Sequence, residues 1–123
     1  MLANKSSCIF VVDNDPVISA TLAAILSHTG YHALGFDAAQ QALDEALTSP
    51  PDLLISNAAM PGINGIELAI LFQRLFPLCK IVLFSSLART ANPLQRASNA
   101  GCGFKVLTRP LHPKDLLKEV SVL

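Results

Sequence analysis

A chain of 123 residues, 51% of them hydrophobic and 15% charged, can bury a core without disulfides or structural metal, and its composition is not that of a disordered segment. Nine basic and nine acidic side chains cancel, which argues against nucleic-acid binding through bulk charge; no apolar run is long enough to span a bilayer, and the start lacks a signal-peptide pattern. Cys8, Cys79 and Cys102 are odd in number and lack metal-ligand spacing, so they read as small buried hydrophobes in a reducing cytoplasm.

The chain alternates between two hydrophobic periods. Residues 8–12 (CIFVV) are a continuous apolar run, as expected of a strand buried on both faces. Pro16 opens a helix where its missing N–H costs nothing, with Asp15 as the cap. Ile18, Leu22, Ile25 and Leu26 recur at helical spacing until Gly30 ends the segment. A weaker strand follows over residues 31–36. Asp37 is placed to cap the next helix, with Ala42, Leu43, Ala46 and Leu47 as its inner stripe and Pro50-Pro51 as its stop.

Residues 53–56 (LLIS) read as the third strand, and the loop MPGING (60–65) leads into a third helix over 66–76, closed by Pro77. Residues 80–84 (KIVLF) are the fourth strand, and a helix is expected over 92–100, between Pro93 and the glycines Gly101 and Gly103. A fifth strand at 104–107 and a last helix from Pro113 to about Val120 complete the chain. Strands alternating with helices imply a parallel sheet covered on both faces. The expected fold is therefore a flavodoxin-like (βα)5 doubly wound α/β sheet in three layers, with strand order 2-1-3-4-5. Residues 1–123 read as a single domain.

In such a sheet, ligands bind beyond the carboxyl ends of the strands, where strand order reverses. Asp13-Asn14-Asp15 follow the first strand, Asn57 the third, Ser85-Ser86 the fourth and Thr108-Arg109-Pro110 the fifth. Polar groups from four strand ends thus converge on one small pocket.

The segments VVDNDP, SNAAMPGINGIEL, VLFSS and LTRP resemble the four signature stretches of bacterial response-regulator receiver domains, in the same order and spacing over essentially the whole chain. The resemblance implies a pocket in which an acidic pair and a third-strand aspartate hold Mg²⁺, and the aspartate attacks a phosphohistidine. A Ser or Thr after the fourth strand and a Lys before a proline after the fifth would contact the phosphoryl group.

Carried onto this chain, the pattern keeps Asp13, Ser85 and Pro110 and breaks at three places. Asn14 stands where the second acid is expected, Asn57 occupies the phosphoacceptor position, and Arg109 replaces the lysine. A neutral amide oxygen is a poor nucleophile toward phosphorus, so no acyl phosphate is expected at Asn57. Mg²⁺ prefers charged oxygen ligands, so its binding is expected to be weak or absent and no other cofactor is implied. Asp15 reads as a helix cap rather than a substitute ligand. With Asp13 as the only acid and Arg109 as the only base, the positions balance without metal. Arg109 either forks onto Asp13, with Asn57 and Ser85 in the network, or extends into solvent.

The remaining candidates have plainer readings. His28, His32 and His112 show no metal or triad spacing, Ser85-Ser86 lack a nucleophile elbow, and no glycine-rich phosphate loop follows the first strand. One Tyr and no Trp make a flavin site thin. The resemblance assigns partner contacts to the face built from the fourth predicted helix, the fifth strand and the last helix. That face would carry Leu87, Arg89, Val106 and Leu111, along with Gln95, Arg96, Lys105 and Lys114, and Val106 stands where many receivers have an aromatic switch residue. The leading reading is a cytoplasmic, non-enzymatic pseudo-receiver that binds proteins without being phosphorylated. Its partner would be a histidine kinase, an output domain or another regulator, or a second copy through that face; nucleic acid and membrane are not expected partners. Two alternatives stand beside it: a working phosphorelay receiver accepting phosphate on Asp13 or Asp15, and a small-ligand binder using the strand-end pocket.

Overall fold

Strand β1 (Cys8–Val12) is apolar throughout because it is covered on both sides. Ile9 and Val11 face one core, while Phe10 and Val12 face the other. The computed structural model describes residues 7–60, 62–85, 105–108 and 113–121. Beyond β1 it contains α1 (Pro16–His28), β2 (His32–Phe36), α2 (Ala39–Thr48), β3 (Leu53–Asn57), α3 (Gly65–Leu75), β4 (Lys80–Ser85), β5 (Lys105–Thr108) and α4 (Pro113–Ser121). All strand pairs are parallel, in the order β2-β1-β3-β4-β5. The strand order and the flavodoxin-like α/β class are those expected. The helix expected over 92–100 lies outside the described residues.

The period of 2 in each strand divides the interior into two cores. Phe10, Val12, Leu54, Ile81 and Leu83 pack with Ala39, Ala42 and Ala46 of α2 and Leu68, Ala69 and Phe72 of α3. On the opposite face Ile9, Val11, Leu53, Ile55, Val82 and Phe84 pack with Leu22, Ala23 and Leu26 of α1 and Leu116 and Val120 of α4. Helices therefore cover both faces, which makes three layers. Central strands β1 and β3 are almost wholly buried, whereas outer strand β2 is half exposed, which is why its pattern is weak in the sequence.

Helix ends follow local chemistry. Asp15 caps α1, its carboxylate accepting the Val17 N–H, and Pro16 takes the first turn as expected. Gly30 lies beyond the end of α1 at φ 105°, a left-handed conformation open to glycine at little cost. Two expectations for α2 are corrected. Its N-cap is Ala38, with no side-chain hydrogen bond, so Asp37 sits one residue too early to cap it. Leu47, placed in the inner stripe by periodicity, is 63% exposed, because the buried stripe runs through Ala39, Ala42 and Ala46 and Leu47 stands one residue round the helix from it.

Candidate functional site

Parallel register brings the polar residues together. Val12 pairs with Ser56, so Asp13 and Asn57 are the next residues on adjacent strands β1 and β3. Asn57 pairs with Phe84 of β4, and Ser85, the last residue of β4, pairs with Thr108 of β5. Asp13, Asn57, Ser85 and Thr108 thus lie side by side at the carboxyl ends of four neighbouring strands.

Asp13 is 1% exposed and Asn57 8%, an unusual depth for a carboxylate and an amide. Both remain partnered: Asp13 Oδ1 accepts the Asp15 N–H at 2.8 Å, and Asn57 Oδ1 accepts the Ala59 N–H at 3.2 Å. Asn14 and Asp15 are exposed, and Asp15 Oδ1 is spent on the Val17 N–H at 2.9 Å. Val106 lies in β5 opposite Leu83. Arg109, Leu87, Arg89 and Leu111 lie outside the described residues, so the pairing of Arg109 with Asp13 does too.

Several neighbours of Asn57 went unread in the sequence. Ser56 is fully buried, and its hydroxyl donates to the Asn57 carbonyl at 3.1 Å. Helix α3 begins against that same carbonyl: a Cβ on Gly65 would lie 1.8 Å from the Asn57 oxygen, so only glycine permits this approach. The Gly65 N–H donates to the Ala58 carbonyl at 3.0 Å. Asn64 and Glu67 form a capping box, the Asn64 side chain accepting the Glu67 N–H at 2.9 Å and the Glu67 carboxylate accepting the Asn64 N–H at 3.3 Å. The Asn-x-x-Glu spacing that signals such a box is present in the sequence at 64–67.

Two open grooves of about 330 and 300 Å³ flank Asp37 at the start of α2. The first is lined by Pro16, Ser19, Gly35 and Gln41, the second by Met60, Gly62 and Ile63. They lie beside α2 and not over Asp13 and Asn57. Among the described residues, no three His, Cys, Asp or Glu side chains gather as a metal centre would need. No described helix is long and apolar enough to cross a membrane.

The likeness to known proteins agrees with this geometry. The family model described as "Response regulator receiver domain" matches residues 9–121. The chain is 32% identical over 113 residues to the response regulator receiver protein CpdR of Brucella abortus, covering 92% of each. It is 26% identical over 117 residues to the phosphate regulon transcriptional regulatory protein PhoB of Pseudomonas aeruginosa, covering 94% of this chain and 50% of that one. The chain therefore spans nearly all of the first relative and half of the second. A CheY-like response regulator receiver domain protein from Methanospirillum hungatei superposes with a TM-score of 0.82 at 25% identity, covering 94% of this chain and 90% of that structure.

Proposed function

The chain belongs to the response regulator receiver domain family, and from that premise we propose that it is a pseudo-receiver, a two-component signalling module that works through protein contacts without aspartyl phosphorylation. One observation carries the reading: the residue at the end of β3, beside the buried Asp13, is the amide Asn57. Transfer of a phosphoryl group to a side chain requires a nucleophilic oxygen, and an amide oxygen conjugated with nitrogen has little nucleophilic power.

The same residues fit Mg²⁺ poorly. A hard cation selects several anionic oxygens, and the donor set here is one carboxylate, Asp13, with the amides Asn14 and Asn57. Asp15 is less available to join them, since capping α1 takes its Oδ1. This weighs equally against Asp15 as an alternative phosphate acceptor. The near-complete burial of Asp13 weighs against its reaching a phosphodonor.

On this reading the chain is a cytoplasmic, non-enzymatic partner of a histidine kinase, an output domain or another regulator. Homodimers would form through the face carrying Leu87, Arg89, Val106 and Leu111. Incubation with acetyl phosphate and Mg²⁺, followed by intact mass measurement, tests the proposal. The mass is expected to stay unchanged; a stoichiometric, base-labile phosphate adduct would overturn it.

A further inference from the structure

Three side chains at the strand ends share one habit. Asp13 Oδ1 accepts the Asp15 N–H, Asp15 Oδ1 the Val17 N–H, and Asn57 Oδ1 the Ala59 N–H, at 2.8, 2.9 and 3.2 Å. Each oxygen serves an amide two residues ahead, the local turn that short acid and amide side chains make. Asp13 and Asp15 follow β1 and Asn57 ends β3, so the Asp15, Val17 and Ala59 amides are held by the chain itself.

We propose that these turns form a metal-independent frame that fixes the described residues leading out of β1 and β3, and that Asn57 is the positioning residue of the second turn. The described residues on either side of Pro61 are each held. Asn57 holds the Ala59 amide, and at the far end the Asn64–Glu67 capping box, the Gly65 N–H on the Ala58 carbonyl and the close seat of Gly65 on the Asn57 carbonyl hold the entry to α3. An aspartate at position 57 would offer the same acceptor oxygen but place a second anion beside the buried Asp13. Two carboxylates so close repel unless a cation lies between them. The amide makes the turn without that charge, so asparagine is the residue type that holds the Ala59 amide when no metal is held. This rests on the pseudo-receiver reading for the absence of metal and adds a structural role for Asn57.

Amide hydrogen exchange of the full chain, followed residue by residue by NMR, tests the frame. Loss of one net hydrogen bond corresponds to about a tenfold change in an opening equilibrium, so Asn57→Ala is expected to speed exchange at Ala59 by about that factor. Val17, in the first turn of α1, should change by less than about twofold, because sites without shared partners respond independently. Asp15→Ala should do the reverse, exposing Val17 and sparing Ala59. Asn57→Asp, which retains the acceptor but adds an anion beside Asp13, should exchange Ala59 faster than the parent and slower than Asn57→Ala, and millimolar Mg²⁺ should alter neither amide in the parent. Should Asn57→Ala not fold, Asn57→Ser, whose shorter side chain makes the turn more weakly, should still exchange Ala59 faster than the parent. Unchanged exchange at Ala59 in Asn57→Ala or Asn57→Ser, or slowing by Mg²⁺ in the parent, overturns the frame. A phosphate adduct in the acetyl phosphate experiment would sink the pseudo-receiver reading and leave the variants' exchange rates standing.

Discussion

Cys79 shows how much a single residue's chemistry depends on where the fold puts it. It enters β4 buried, its Sγ–H donates to the Lys80 carbonyl at 3.4 Å, and burial with the nearby Asp52 carboxylate pushes its thiol up to about 12. The folded state thus holds this proton more tightly than the unfolded chain, whose thiol ionises near 9. The stability this contributes is complete below about pH 9 and is lost as pH rises from there toward 12. Parent protein should therefore lose stability more steeply than Cys79→Ala between pH 9 and pH 11, as denaturant titrations across that window would read. Equal slopes would contradict the assignment. Cys8 is only half-buried, with its thiol raised by burial and then by Asp52, so in the native protein it should be alkylated before Cys79. That cysteines beside apolar strands pack inward was legible from their neighbours. The partial exposure of Cys8 was not, because it stands at the first position of β1, where the strand is less covered than over Ile9 to Val12. Cys102 lies outside the described residues.

At the scale of elements, the strands and helices were legible because each wears its own period, and their observed ends fall within a residue or so of those expected. The misreadings are in α2, at its cap and at Leu47. Asp37 attracts a cap assignment by residue type, yet the chain turns into α2 one residue later, at Ala38, whose extended φ of −142° and ψ of 139° suit a cap its methyl group cannot make. Ala38→Ser should supply the missing acceptor for the first-turn amides and stabilise the protein by about 0.5–1 kcal/mol, whereas Asn64→Ala, which removes half of the α3 capping box, should cost about 1 kcal/mol. Chemical denaturation of the two variants decides this. A neutral Asn64→Ala would mean that the packing of Gly65 on β3, and not the cap, sets the start of α3.

For the molecule as a whole, topology was legible because right-handed crossovers between parallel strands leave few arrangements, and the strand-end pocket follows from topology. Sequence could place Asp13 and Asn57 at adjacent strand ends but could not show how their oxygens are used. Hydrogen bonds to amides two residues ahead depend on loop conformation, and the seat of Gly65 on the Asn57 carbonyl depends on how closely α3 meets β3. Those details join the site to the fold. They also bear on its repair. Asn57→Asp alone restores a nucleophile but only part of a metal site. Asn14→Asp with Asn57→Asp places three acids at the pocket, which should lower stability at neutral pH through repulsion and make it recoverable by a bound cation. The most direct measurement is a set of thermal melts of the parent and these two variants, with and without millimolar Mg²⁺. The account predicts no response in the parent, a lowered melting temperature in the metal-free double variant, and a clear upward shift of that variant when Mg²⁺ is added. A parent that already melts several degrees higher with Mg²⁺ would show that the site holds metal with Asn14 and Asn57 in place, and would contradict it.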